Sequence, residues 1–226
     1  MVAGYILFRA GKMNARWLLL IGCVVYNFAG SEELVIDRFS DCVEDSGIPC
    51  GWHSSQRDVG MFSVVSEGGN FFVRIRTEGG NTSIGRQKNY ESREYPWLHW
   101  RWRAHALPQG ADERDRRSSD SGAGVYVIFK GRFRLNRIIK YVWSTSLSVG
   151  TVIRSPFNPR ARVVVLQSGE DNIGRWVRER VNVYEDYNRF FGSNPPLVEG
   201  IGFMSDGHET VSFVKADYDD FTVTRR

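Results

Sequence analysis

The stretch YPWLHWRWRAHALP, residues 95–108, holds three tryptophans, two histidines and two arginines in fourteen positions. Its residues alternate, and in a β-strand alternate side chains leave opposite faces. One face would carry Leu98, Trp100, Trp102 and Ala104. The other would carry Trp97, His99, Arg101, Arg103 and His105. The first set is apolar, so Trp100 and Trp102 are read as core rings, each stabilising by roughly 1.5–3 kcal/mol on burial. The second set forms a row of donors along one sheet surface.

Working outward, similar short β-type segments recur between turns. They are LVIDRF (34–39), MFSVVSE (61–67), NFFVRIRT (70–77), WLHWRWRA (97–104), GVYVIF (124–129), RIIKYVW (137–143), ARVVVLQ (161–167), RWVRERVNV (175–183), LVEGIGFMSD (197–206) and DYDDFTVTR (217–225). About ten such strands with regular turn spacing predict an all-β, two-sheet antiparallel β-sandwich of jelly-roll type. One short helix is expected at YEDYNRFFG (184–192), with Gly192 as its stop. The loop PQGADERDRRSSDSG (108–122) reads as too polar to bury.

At 226 residues the chain suits one β-sandwich domain over 31–226, preceded by a leader over 1–30. That leader has an export layout: a basic stretch to Arg16, the apolar run WLLLIGCVVYNFA (17–29), then polar GSEE. The run is shorter than the ~20 residues of a membrane span. It is therefore read as a signal peptide or N-terminal anchor, and Met13 is an alternative start. LIGC (20–23) also looks like a lipoprotein box, with Cys23 the lipidated residue. A periplasmic or secreted location follows, with membrane contact only through the N-terminal segment. In that oxidising setting Cys42 and Cys50, eight apart around a Gly-Pro turn, are expected to form a disulfide. The alternative, a metal pair, has only His53 nearby.

The formal charge of +4 resides mostly in the leader. Without Arg9, Lys12 and Arg16, 27 cations face 26 anions, which argues against a general nucleic-acid binder. The near-neutral domain is nonetheless segregated. No acid stands between Ser121 and Gly169, where Lys130, Arg132, Arg134, Arg137, Lys140, Arg154, Arg160 and Arg162 gather, interleaved with Tyr126, Phe133, Tyr141 and Trp143. Arginine forks bind carboxylate or sulfate, and rings stack on sugar faces. An acidic glycan or envelope polysaccharide suits both, and anionic lipid head groups would satisfy the same cations. The expected ligand-binding residues are His99, Arg101, Arg103, Tyr126, Tyr141 and Trp143.

DYDDF near the C-terminus places Asp219 and Asp220 on the last strand, with Asp37 on the first; a structural calcium could draw on all three. Catalytic signatures are missing: there is no Gly-x-Ser-x-Gly elbow, phosphate loop or dinucleotide fingerprint. An enzymatic reading, polysaccharide lyase or hydrolase, would use His99, Arg101, Arg103 and Tyr141. A third reading is an accessory subunit of an envelope protein complex.

The order VIDRF, YPWLHWRWRAHALPQGAD, SDSGAGVYVIF, YVW, W…YEDYNRFFG, VEGIGFMSDGHET and ADYDDFTV resembles the bacterial family catalogued as domain of unknown function 3047. The resemblance spans most of 34–224 and implies one exported β domain, with no activity to carry over. Members of that family are aspartate-rich where this chain reads Asp206, Gly207, His208 and Glu209, which argues against a metal site there. An early DRF with a late DDF is similar to the strand pair closing carbohydrate-binding jelly rolls, a likeness of fold alone.

Overall fold

Residues 97–106 form a strand whose faces divide as the alternation requires: Leu98, Trp100, Trp102 and Ala104 are buried in the core. The computed structural model of the chain describes residues 32–40, 47–54 and 59–226, the side chain of Arg134 apart. The leader and Cys42 lie outside the described residues. So do the expectations of a signal peptide, a lipidated Cys23 and a Cys42–Cys50 disulfide. Among the described residues no helix is long and apolar enough to cross a membrane.

The strands are β1 (Glu33–Asp37), β2 (His53–Ser54), β3 (Phe62–Glu67), β4 (Asn70–Glu78), β5 (Asn81–Tyr90), β6 (Trp97–Ala106) and β7 (Ala123–Phe129). They continue as β8 (Arg137–Ser144), β9 (Val152–Arg154), β10 (Ala161–Ser168), β11 (Val177–Asn182), β12 (Val198–Asp206) and β13 (Phe213–Thr224). One sheet has the order β11-β6-β13-β4-β3, with β1 beside the second half of β13; the other runs β2-β5-β12-β7-β8-β10-β9. This is the two-sheet sandwich expected. One pairing departs from the antiparallel rule: β10 lies parallel to β8, because β9 turns the chain back before β10 begins.

Rings from both sheets meet in the core. Trp100 and Trp102 stand edge to face at 5.4 Å, Trp100 contacts Tyr141 at 5.8 Å, and Trp102 contacts Trp143 at 6.0 Å. This corrects the expectation for Tyr141 and Trp143, which are fully buried rather than on a ligand-facing surface. In β8 the odd-numbered positions 139, 141 and 143 point inward, so Ile138 and Lys140 take the outer face. Tyr141 donates its hydroxyl to Asp186 at 2.8 Å, and the Trp143 indole donates to the Gly169 carbonyl at 3.0 Å.

Among the described residues the one α-helix, α1 (Val183–Phe191), forms where the sequence places it. The Asn182 side chain accepts from the Glu185 amide, and Gly192 ends the helix in the left-handed region at φ 65°. Strand β5 is not predicted from the sequence, because NTSIGRQKNY alternates weakly. Its place next to β12 rests on close backbone approach, since a Cβ on Gly200 would come within 2.6 Å of the Arg86 carbonyl oxygen.

Candidate functional site

The row expected on β6 does line the outer face of its sheet, but it faces carboxylates of this same chain. Asp217 on β13 is fully buried and takes the Arg74 guanidinium at 2.7 and 3.0 Å, Arg103 Nε at 2.9 Å and His105 Nε2 at 2.7 Å. Burial raises its carboxyl, yet the bonds from His105 and the two arginines outweigh that and hold it at about 2. Arg103 also donates to Glu67 at 2.7 Å. Arg101 pairs with Asp219 and Asp220, and Asn70 donates to Asp219 at 2.9 Å. The guanidinium carbons of Arg101 and Arg103 stack 4.8 and 4.6 Å from the Trp176 ring centre. His99 bonds Thr224 Oγ1 at 2.9 Å, and burial, with Arg180, depresses its pKa.

A hollow of about 530 Å³ borders this row, lined in part by His99, Trp100 and Glu179. Its rim charges are paired with each other, Arg38 with Glu33 at 3.1 Å and Arg178 with Asp220 at 3.5 Å. Arg101 and Arg103 therefore close an internal ionic network. The carboxylates expected to hold calcium are engaged by side chains of this same chain. Asp37 accepts the Trp52 indole at 2.7 Å and the Arg86 guanidinium, whereas Asp219 and Asp220 are taken by Arg101, so the three do not share a site. A bulge follows Asp219, with Asp220 at φ 57°, and both neighbours reach the one Arg101 guanidinium.

The other sheet carries a different constellation. On β7 the core takes Val125 and Val127, which turns Tyr126 outward beside Lys140 of β8, with the ammonium 5.5 Å from the ring centre. Ile138, Ala161, Val163 and Met204 complete an apolar floor. Above it lies a cleft of about 290 Å³ that also receives Asn81, Glu113, Ser119, Ser155, Phe157, Asn158, Asp206 and Glu209. Of the six expected ligand residues, only Tyr126 lines this cleft.

Two loops and the last residue of β12 supply the acids. The 108–122 loop is not the solvent-facing segment its composition implies: Ala111, Glu113, Ser119, Asp120 and Ser121 are buried. Glu113 accepts from Ser121 Oγ at 3.1 Å and Ser144 Oγ at 2.7 Å. Asp120 accepts from the amides of Glu209 and Thr210, at 3.2 and 2.7 Å, and from Thr210 Oγ1 at 2.6 Å. That tie fixes the turn after β12. Gly207 is required in it, since a Cβ would come within 2.5 Å of the Ser212 carbonyl oxygen. Carboxylate oxygens of Asp120, Asp206 and Glu209 lie within 4.8 Å of one another. Both segments read as ordinary polar loops; their Ser, Thr and Asp content was the only signal of a built site.

Burial in the cleft pushes the Asp206 carboxyl up to about 7; Lys140 offsets this in part and Asp120 adds to it. Burial likewise raises Glu209, aided by its bond to Asp120; for Asp120, burial is outweighed by the bonds to Glu209 and Thr210, so its carboxyl is lowered. For Lys140, desolvation is outweighed by the facing Tyr126, Asp206 and Glu113, so the ammonium is stabilised. The arrangement places one cation, the carboxyls of Glu113, Asp206 and Glu209, and a phenol ring over an apolar floor. Lys140 supplies positive charge beside Asp206, and Asp120 is engaged by Thr210 Oγ1 at 2.6 Å.

Comparison with solved structures returns sandwiches of remote sequence. A family 30 carbohydrate-binding module of a cellulosomal cellulase of Clostridium thermocellum is 10% identical, with a TM-score of 0.43, covering 77% of this chain and 91% of that one. TmCBM27, a mannan-recognising carbohydrate-binding module, is 13% identical at a TM-score of 0.36, covering 87% and 99%. Trichoderma harzianum endoglucanase 3, of family GH12, is 9% identical at 0.41, covering 76% and 89%. No curated protein sequence matches. The family model described as protein of unknown function DUF3047 matches residues 51–222, and the chain belongs to that family.

Proposed function

We propose that the domain is an exported glycan-binding module whose ligand lies in the cleft over Tyr126 and Lys140. The observation that carries this reading is the juxtaposition of two aromatic rings, Tyr126 and Phe157, with Lys140, Asp206, Glu209, Asn81 and Asn158 above an apolar floor. A sugar ring offers an apolar face for stacking and a rim of hydroxyls that both donate and accept. Carboxyls that accept, amides that do both and an ammonium that donates match that rim. With Glu113, Asp206 and Glu209 around one ammonium, a hydroxyl-rich neutral glycan fits better than a polyanion.

A glycan array probed with the full chain tests this. Selective binding that is lost in the Tyr126→Ala and Lys140→Met variants supports it. Binding that survives both variants and is lost in Arg101→Ala/Arg103→Ala would return the ligand to the β6 face and to the acidic glycans expected from charge alone.

Glycoside hydrolysis is a second reading, favoured by Asp206. A carboxyl titrating at about 7 beside further carboxylates has the protonation a general acid needs. Release of reducing ends from a bound glycan, abolished in Asp206→Asn, separates hydrolysis from binding.

A further inference from the structure

The cations gathered between Ser121 and Gly169 are not absorbed by the cleft, which takes Lys140 alone. Lys130, Arg132, Arg137 and Arg160 instead line a groove of about 310 Å³ with Gly131, Leu135 and Tyr187. Register explains the gathering. Phe129 pairs with Arg137, Ala161 with Ile138, and Val198 with Phe129, so the β7–β8 turn, the β9–β10 loop and the segment after α1 leave the sheet at one end.

Among the described residues, none of these four cations has a carboxylate within salt-bridge distance. Glu199, on neighbouring β12, is occupied by Asn136 at 2.8 Å. Arg137 is oriented by neutral groups, donating to the Tyr187 hydroxyl at 3.0 Å and Ser193 Oγ at 3.1 Å. Its guanidinium and that of Arg162 each lie 5.0 Å from the Phe191 ring centre. After burial, the charges of Arg154 and Arg137 depress Arg162, the mark of cations crowded without anions.

The turn that rims this groove projects apolar side chains into water. Phe133 is 78% exposed and Leu135 50% exposed. The turn is built to hold them there: the Gly131 amide donates to Asn136 Oδ1 at 2.9 Å, and the Leu135 amide to the Arg132 carbonyl at 3.1 Å. A Cβ on Gly131 would come within 2.1 Å of the Leu135 carbonyl oxygen, so only glycine closes it. Phe133 itself sits at φ 57°, a left-handed conformation unfavourable for an aromatic residue. Strain that holds a ring out of the core calls for something to cover the ring.

We propose that this turn docks onto an anionic lipid surface, with Phe133 and Leu135 entering the interface and Lys130, Arg132, Arg137 and Arg160 meeting headgroup phosphates. A soluble polyanion would match the cations and leave both apolar side chains in water; an anionic bilayer satisfies both. This contact is additional to any made by residues 1–30, and it does not rest on the cleft or its ligand.

Co-sedimentation of the full chain with vesicles of phosphatidylglycerol and phosphatidylcholine tests it, since residues 1–30 are common to every variant. Phe133→Ser/Leu135→Ser and Arg132→Glu/Arg160→Glu should each lower partitioning at least tenfold, at about fivefold for each cation removed. Their circular dichroism and melting should match the parent, all four sites being exposed. A Phe133→Trp variant should gain an indole signal that brominated lipid quenches. Unchanged partitioning in both double variants, or an unquenched indole, would overturn the proposal. So would binding to soluble dextran sulfate that Arg132→Glu/Arg160→Glu abolishes while vesicle binding persists.

Discussion

Arg103 on β6 and Asp217 on β13 stand opposite one another in register, and Arg103 Nε donates to the buried carboxylate at 2.9 Å. The pair converts what looks like a ligand-facing arginine row into a strut between the two longest paired strands of its sheet.

Asp217→Asn should destabilise the domain by roughly 3–5 kcal/mol, because it leaves Arg74, Arg103 and His105 facing a neutral amide. The wild-type carboxyl, held at about 2 when folded against an ordinary 3.8, contributes stability that is present above pH 4 and lost as pH falls towards 2. The loss is on the order of 2 kcal/mol. Urea unfolding between pH 2 and 7 should therefore show an acid-side decline that is flatter in Asp217→Asn.

Arg101→Ala/Arg103→Ala should lower the melting temperature while leaving glycan affinity in the cleft within twofold. The two arginines serve Asp219, Asp217 and Glu67, on the face opposite the cleft. Calorimetry on the same preparations reads both quantities, and a selective loss of affinity without loss of stability would contradict the placement.

Trp102→Ala should cost about 3–5 kcal/mol, since its ring packs against Trp100 and Trp143 with no exposed surface. Tyr126→Ala, on the outer face, should change stability far less and reduce cleft affinity about tenfold or more. Denaturation midpoints set beside titrations distinguish a core ring from a platform ring.

Ligand binding in the cleft should depend on pH around 7. Asp206, raised there by burial, is protonated and able to donate below that pH, and becomes an acceptor above it. Its raised value also means that stability declines as pH climbs from about 4 to 7, where burial opposes ionisation. In Asp206→Asn the affinity profile should flatten between pH 5.5 and 8.5, as measured by titration calorimetry across that range.

The sequence alone determined the β architecture, the inward face of β6 and the helix ending at Gly192. Each depends on local periodicity or a local stop signal, and periodicity survives whatever the strand later pairs with. Tertiary structure decided the partners. Asp217 sits 114 residues from Arg103, so no local pattern showed that the donor row was already satisfied. Tyr141 and Trp143 looked equivalent to Tyr126 until strand parity turned them inward. Asp120 and Glu209 come from loops 89 residues apart and meet through hydrogen bonds that composition cannot announce. Hydrophobic alternation is a one-dimensional property of the chain, whereas a site is built from long-range register. Register is set when two sheets close over a common core.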